Sequence, residues 1–133
     1  MVIDTSAVLA ILLDEPELAA FTVLITHEND VRLSAASYVE AAMVLEMRNR
    51  FRAKGILDEF VKNYEIQIEP VTAEQAIFAS DAFRKYGKGI HKARLNYGDC
   101  FTYALARAMR EPLLFKGNDF SQTDLEPAVK PLQ

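Results

Sequence analysis

The beginning of the chain constrains the fold most, because an apolar run there stops abruptly on a carboxylate. Val2 and Ile3 are followed directly by Asp4, and a helical pattern of apolar residues begins a few residues later. A short apolar run that passes into a helix is typical of a buried strand in a parallel sheet. Asp4 then lies at the carboxyl end of its strand, the edge of an open α/β sheet where ligands bind. A carboxylate buried there needs a cation or hydrogen-bond donors around it.

Strand-like and helical patterns alternate along the rest of the chain. Strands are predicted at 2–3, 31–35, 66–71 and 113–115, and helices at 7–13, 18–27, 37–54, 56–64, 73–86 and 97–110. This alternation predicts an α/β fold with a central parallel sheet of four or five strands flanked by helices. No repeat, low-complexity segment or linker interrupts the pattern, so we expect a single domain over residues 1–133.

Local signals predict several details of the helices. Ser6 and Thr72 are predicted helix caps, and Gly55 is expected to end the long third helix. In the helix over 73–86, four side chains are expected to face the core: Ala76, Ile77, Ser80 and Phe83. The two apolar helices near the N-terminus offer more hydrophobic surface than one sheet face can cover, so we expect a groove or dimer surface there.

Composition narrows the class of protein. With 50% hydrophobic residues, five Gly and five Pro, the 133-residue chain is globular and can bury a sizeable core. Its single cysteine, Cys100, excludes an internal disulfide framework and is typical of a reducing cytosol. The apolar stretch over 8–13 is far shorter than the roughly 20 residues that cross a bilayer, so we expect a soluble cytoplasmic protein with no membrane contact.

The charge distribution is uneven. A net charge of -4 argues against strong general binding to nucleic acid through phosphate contacts. Between Asp81 and Asp99, however, there are no acids, and basic side chains follow one another: Arg84, Lys85, Lys88, His91, Lys92 and Arg94. This patch either contacts phosphates or is a solvated loop kept polar for solubility. A second basic run over 48–54 ends a helix, where positive charge also favours the macrodipole.

Four acidic residues share a position relative to the predicted strands. Each lies just after a strand or within the first turn of the helix that follows one: Asp4, Glu40, Asp99 and Asp119. If the strands are parallel, right-handed crossovers bring all four to the same edge of the sheet. Oxygen ligands without cysteine or paired histidines favour Mg²⁺ or Mn²⁺ over zinc. Two such ions about 3.5–4 Å apart can activate a water and stabilise the leaving oxygen, which predicts metal-assisted phosphodiester hydrolysis.

Each acid also has an ordinary structural explanation. Glu40 completes a capping box with Ser37, Asp99 complements a helix macrodipole, and Asp119 is a common type of turn residue. Asp4 is the hardest to explain in this way. Taken together, four independent cap or turn acids have no reason to fall at successive strand ends, so the shared site is the stronger interpretation.

The sequences around these acids resemble the acidic motifs of the PIN-domain family. They are Val-Ile-Asp-Thr-Ser-Ala, Ser-Tyr-Val-Glu-Ala-Ala, Asn-Tyr-Gly-Asp-Cys-Phe-Thr-Tyr-Ala-Leu-Ala and Leu-Leu-Phe-Lys-Gly-Asn-Asp-Phe. The resemblance covers essentially the whole chain, and its spacing and length are most similar to the VapC toxins of bacterial toxin-antitoxin pairs. It implies one PIN-like domain over 1–133 and an endoribonuclease that depends on Mg²⁺ or Mn²⁺. A homodimer and inhibition by a cognate VapB-like antitoxin are implied as well.

The same resemblance assigns roles to individual residues. By position, four acids carry over as catalytic metal ligands: Asp4, Glu40, Asp99 and Asp119. Thr5 or Ser6 is expected to add a hydroxyl to the metal or its waters. Family members often carry Thr or Ser close to the last acid, where this chain has Lys116-Gly117-Asn118, so Asn118 is the candidate substitute. The candidate RNA contacts are Lys88, Lys92 and Arg94.

Two other functions stay open at the level of sequence. A strand-terminal aspartate before Thr or Ser is similar to the nucleophile of haloacid-dehalogenase-like phosphohydrolases, but that chemistry usually needs a second acid two residues later, where this chain has Ser6. Alternatively, the acids hold an ion for structure alone, and the chain is a non-catalytic module that binds metal and RNA.

Overall fold

The computed structural model describes residues 1–48 and 53–129. In these residues strands and helices alternate as the sequence predicts. In chain order they are β1 (Val2–Ile3), α1 (Thr5–Leu12), α2 (Leu18–His27), β2 (Arg32–Ser34), α3 (Ala35–Arg48), α4 (Ala53–Asn63), β3 (Gln67–Glu69), α5 (Ala73–Tyr86), α6 (Tyr97–Met109) and β4 (Leu113–Leu114), with a short 3-10 helix at Phe120–Gln122. None of the described helices combines the length and the apolarity needed to cross a membrane.

The strands form one parallel sheet with β1 near its centre. The strand order is β3-β2-β1-β4, and all three pairings are parallel. Val2 pairs with Arg32 on one side and with Leu113 on the other. The predicted α/β fold with a parallel sheet is therefore confirmed, and the carboxyl ends of all four strands lie along one edge.

The two faces of the sheet carry separate parts of the core, because successive side chains of a strand point to opposite faces. Ile3 packs into a cluster with residues of α1 to α4, such as Val8 and Leu45. Val2 packs into a second cluster with α5 and α6, which includes Leu105. Helices thus cover both faces of β1, and its two side chains are fully buried.

The inward face of α5 was predicted wrongly. Ile77 is 62% exposed and Phe83 41% exposed, whereas Ala79 and Ala82 are buried. The alanines lie in the same core cluster as residues of α6, and their small side chains allow α5 and α6 to pack closely. The larger apolar residues of α5 consequently remain on its outer side.

The start and end of the third helix also differ from the prediction. α3 begins at Ala35, and the hydroxyl of Ser34 accepts a hydrogen bond from the Ala36 N–H at 3.2 Å. Ser37 therefore lies inside the helix and forms no capping box with Glu40. Gly55 lies within α4 and ends no helix. Of the predicted basic run, Arg50, Arg52 and the side chain of Lys54 lie outside the described residues.

The apolar surface expected on the two N-terminal helices is small. α1 packs against both α2 and α3, so most of its apolar side chains are covered. Among the described residues of α1 and α2, Val23 is the one large hydrophobic side chain that is mostly exposed, at 57%. Larger exposed apolar side chains lie instead on α3, α5 and α6.

Candidate active site

The structure brings the four predicted acids to the carboxyl edge of the sheet, each from a different segment. Asp4 follows β1 directly, and Glu40 lies in the second turn of α3, which follows β2. Asp99 lies in the first turn of α6, and Asp119 in the turn after β4. The charges of Asp4, Asp119 and Glu40 all act on the Asp99 carboxyl, so Asp99 is the common neighbour of the group.

Asp4 is buried, and its carboxylate is held by two donors. It is the N-cap of α1 in place of the predicted Ser6, because its Oδ2 accepts a hydrogen bond from the Ser6 N–H at 3.0 Å. Its Oδ1 accepts one from the Thr102 hydroxyl at 2.7 Å. The side chain is 4% exposed, so these two bonds replace water around a buried charge.

Thr102 connects Asp4 to α3 through a short chain of hydroxyl groups. Its Oγ1 lies 2.9 Å from Ser37 Oγ, and both side chains are buried. A hydroxyl has one proton, and that of Thr102 is donated to Asp4, so Ser37 must donate to Thr102. Ser37 thereby orients Thr102, and Thr102 orients Asp4.

Asp99 forms part of the capping box of α6 and also faces the other acids. The Asn96 side chain accepts from the Asp99 N–H at 2.9 Å, and Asp99 Oδ2 accepts from the Asn96 N–H at 3.0 Å. Burial raises the pKa of the Asp99 carboxyl from 3.8 to about 7. The hydrogen bond from Asn96 opposes this rise, and the charges of the three neighbouring acids add to it. The Asp99 side chain therefore caps α6 and also belongs to the candidate site.

Glu40 approaches the N-terminus of α6 because position 98 has no side chain. A Cβ atom at Gly98 would overlap the Glu40 carboxylate. The amide groups at a helix N-terminus favour a nearby negative charge, so this end of α6 is a suitable environment for Glu40. Gly98 was not among the predicted site residues, although a glycine in the first turn of a helix, beside an acidic motif, indicates that another group can approach closely.

The predicted supporting residues make contacts of a different kind. The Thr5 hydroxyl donates to the Ser37 carbonyl at 3.3 Å, and Ser6 Oγ accepts from the Lys116 N–H at 3.0 Å. The backbone carbonyl of Asn118 accepts from the Ser121 hydroxyl at 2.6 Å. The hydroxyl group that contacts Asp4 belongs to Thr102, which the sequence analysis missed. A threonine within the apolar stripe of a helix, three residues after Asp99, could have indicated it.

The candidate RNA contacts lie on the loop between α5 and α6. Lys88, Lys92 and Arg94 are exposed. The loop ends at Asn96, the N-cap of α6, and Lys88 lines the same groove as Tyr97. Positive charge is thus attached to the helix that carries Asp99.

The donor atoms at this edge suit a hard divalent cation. The four candidate ligands are all carboxylates, which favour Mg²⁺ or Mn²⁺. Burial is the main cause of the raised pKa of Asp99, and the negative charges of the other three acids add to it. Within residues 1–48 and 53–129, no three acidic, histidine or cysteine side chains already converge as the ligands of one ion. Mg²⁺ is compatible with this spacing, because it usually keeps several waters and binds through one or two carboxylates.

Comparison with known proteins identifies the family. The family model described as PIN domain matches residues 1–126. The chain belongs to the PIN-domain family. Among curated PIN-domain relatives, Ribonuclease VapC28 of Mycobacterium tuberculosis is 45% identical over 130 residues, which cover 97% of this chain and 98% of the relative.

Solved structures agree with this PIN-domain fold. The crystal structure of VapC20 from Mycobacterium tuberculosis, a toxin that cleaves the sarcin-ricin loop, matches with a TM-score of 0.78 at 20% identity and covers 98% of both chains. VapBC2 from Rickettsia felis, crystallised with a DNA fragment from its promoter, matches with a TM-score of 0.73 at 12% identity and covers 95% of both chains. The resemblance seen in the sequence is confirmed.

We expect Thr102→Val to destabilise the fold by about 1–3 kcal/mol, because it leaves Asp4 Oδ1 and the Ser37 hydroxyl buried without their partner. Thr102→Ser keeps the hydroxyl and should lose less. Urea unfolding of both variants beside the wild type measures the difference. If the valine variant is as stable as the serine variant, the hydrogen bond to Asp4 contributes nothing to the fold.

The metal-free protein should lose stability as the pH rises from about 4 to about 7. Over that range the folded chain keeps a proton on Asp99 that the unfolded chain has lost, because the carboxyl titrates near 3.8 when unfolded and near 7 when folded. Asp99→Asn removes this effect. In EDTA, the melting temperature of the variant should therefore rise relative to that of the wild type between about pH 4 and about pH 7, and it should stay higher above about pH 7. A difference between the two that does not change with pH would contradict the assignment.

Proposed function

We propose that this PIN-domain chain is a VapC-type endoribonuclease, the toxin of a type II toxin-antitoxin pair, and that its cleavage of RNA depends on Mg²⁺ or Mn²⁺. The observation that carries the proposal is the placement of acids from four separate segments at one edge of the sheet, where the charges of Asp4, Asp119 and Glu40 act on the partly buried Asp99. Its 45% identity to a relative named as a ribonuclease, along nearly the full length of both chains, supports the same activity.

Four residues would hold the metal in this proposal: Asp4, Glu40, Asp99 and Asp119. When bound, the ion supplies a water of lowered pKa and neutralises charge on the phosphodiester. The chain contributes the orientation of the ligands: Thr102 and the Ser6 N–H fix Asp4, and the capping box with Asn96 fixes Asp99. In the overall hydrolysis, a water oxygen would bond to phosphorus and give up a proton, the bond from phosphorus to the leaving sugar oxygen would break, and that oxygen would take up a proton.

Position 6 argues against a phosphohydrolase that uses Asp4 as a nucleophile. That chemistry usually needs a second acid two residues after the nucleophile, and this chain has Ser6 there. The Ser6 hydroxyl accepts a hydrogen bond from the Lys116 N–H. The non-catalytic alternative is distinguished by a single result, which is binding of RNA in the presence of Mg²⁺ without any cleavage.

RNA and an antitoxin are the proposed partners, and the cytoplasm is the proposed location because the RNA substrate is there. Lys88, Lys92 and Arg94 would contact substrate phosphates, since they are exposed on the loop that leads into α6. A VapB-like antitoxin would inhibit the enzyme, and the similarity of the fold to VapBC2 supports that assignment.

A second copy of the chain is the proposed occupant of the groove between α5 and α6. This groove of about 640 Å³ is lined mainly by apolar side chains, including Phe83, Tyr97 and Phe101. Phe83 and Tyr97 are exposed in the single chain, although they are large and apolar. Exposed apolar surface of this kind is typical of protein interfaces, and two-fold homodimers are the commonest soluble oligomers.

Asp4→Asn and Asp99→Asn should each reduce RNA cleavage by at least about a hundredfold, more than is typical for a residue beside the metal ligands. EDTA should abolish cleavage by the wild type, and added Mg²⁺ or Mn²⁺ should restore it. Asp81→Asn is the matched control, because that carboxylate makes an exposed ion pair with Arg84 at 3.5 Å. The proposal fails if both site variants cut RNA at the wild-type rate.

Phe83→Asp should convert a dimer into a monomer at micromolar concentration, because it buries a charge in the proposed interface. Val23→Asp serves as the control, since Val23 is equally apolar and exposed but lies on α2. Sedimentation velocity measures both. A monomer with Val23→Asp and a dimer with Phe83→Asp would assign the interface to the N-terminal helices instead.

A further inference from the structure

The loop that carries Asp119 has little regular structure to fix its position. β4 ends at Leu114, and Gly117 follows with a left-handed φ of +98°. Asp119 is exposed and makes no side-chain capping hydrogen bond to the short helix that it precedes. The distance between Asp119 and Asp99 therefore depends on the other contacts made by residues 115–119.

Lys116 is held at both ends of α1. Its backbone N–H donates to Ser6 Oγ at 3.0 Å, in the first turn of that helix. Its ammonium group donates to Glu15 Oε2 at 2.5 Å and lies 3.3 Å from Glu17 Oε2, in the turn between α1 and α2. The backbone amide of Ser6 in turn donates to Asp4. Lys116 thus connects the Asp119 loop to the same helix that Asp4 caps.

The two glutamates depend on this lysine. Glu17 Oε2 is buried and makes no hydrogen bond among the described residues, so its compensation is the ion pair with Lys116. Glu15 and Glu17 would repel each other without the cation between them. Each of the three side chains is about one-third exposed, at 33–34%. The cluster carries a net negative charge, which is unfavourable for a direct contact between Lys116 and an RNA phosphate.

We infer that Lys116 is a positioning residue, which clamps the Asp119 loop to the turn between α1 and α2 and keeps Asp119 beside the other three acids. This inference rests on the proposed metal-dependent function. We define the clamp as Lys116 with Glu15 and Glu17.

Loss of the clamp should disturb the site and leave the fold intact. Phe120 is buried, and its ring packs against Phe115 with centroids 5.4 Å apart, so the loop stays attached to the core at both ends. The residues between them, including Asp119, would then adopt several positions. Partly exposed ion pairs contribute little to stability, so the metal-free variants should melt close to the wild type.

The test compares three variants of the full chain: Lys116→Met, the double variant Glu15→Gln with Glu17→Gln, and the control Lys62→Met, an exposed lysine in the last turn of α4. Titration calorimetry with Mn²⁺, in the absence of RNA, measures metal affinity. Cleavage of an RNA substrate gives kcat and KM. Both clamp variants should bind Mn²⁺ roughly tenfold more weakly and lose kcat with little change in KM, while the control matches the wild type.

Two results would overturn the inference. One is wild-type Mn²⁺ affinity in both clamp variants. The other is disagreement between them, in which Lys116→Met raises KM while the double glutamine variant retains full activity, since that pattern means that Lys116 binds RNA directly. A wild-type chain that neither binds Mn²⁺ nor cuts RNA would instead reject the proposed function, so the two failures are distinguishable.

Discussion

Repulsion between carboxylates at one edge of the sheet is the constraint that the rest of this structure accommodates. A parallel sheet brings its strand ends together, and Asp4, Glu40 and Asp119 all come after strands of this sheet. Asp99 reaches the same group of acids from the first turn of α6, which follows α5 and not a strand, so the predicted position of Asp99 in a helix directly after a strand was wrong. Burial raises the pKa of Asp99, and the charges of the three other acids add to that rise. Such an arrangement costs folding free energy in the absence of a cation. Hydrogen bonds that also cap helices hold Asp4 and Asp99 in place, whereas the Asp119 side chain is exposed.

The contacts that orient these carboxylates are short-range and specific. Asp4 is fixed by a hydroxyl and a backbone amide, and Asp99 by a capping box, whereas Glu40 occupies the space that Gly98 leaves free. These contacts orient oxygen atoms before any ion or substrate arrives. Hydrogen-bonding neighbours that orient metal ligands typically change metal affinity by about 10–100-fold. The Ser37 to Thr102 chain matters for the same reason, because it links α3, α6 and the carboxyl end of β1 in one buried network.

The placement of the four acids at one edge of the sheet could be predicted from the sequence, whereas the residues that hydrogen-bond to them could not. The ends of strands can be recognised in the sequence because apolar runs stop there on polar residues. Asp4 and the alternation of strands and helices therefore indicated both the fold and the edge of the sheet where the acids lie. Thr102 sits in an apolar helical stripe, and only the packing of α6 against β1 and α3 brings its hydroxyl to Asp4. The inward face of α5 was misjudged for a related reason, because contact with α6 selects the small Ala79 and Ala82 over the larger Phe83.

The first helix, α1, is part of the core and also positions residues of the candidate site. α1 is only eight residues long, yet four of its residues are buried apolar side chains, which makes it part of the rigid core. Its N-terminus is capped by Asp4, and the turn after its C-terminus carries Glu15, which holds Lys116. Of the four acids, Asp4 is the most buried and Asp119 the most exposed. The helix therefore sets the spacing between Asp4 and the loop that carries Asp119. A fixed spacing is useful in this arrangement because Asp119 has no regular structure of its own to define where its carboxylate lies.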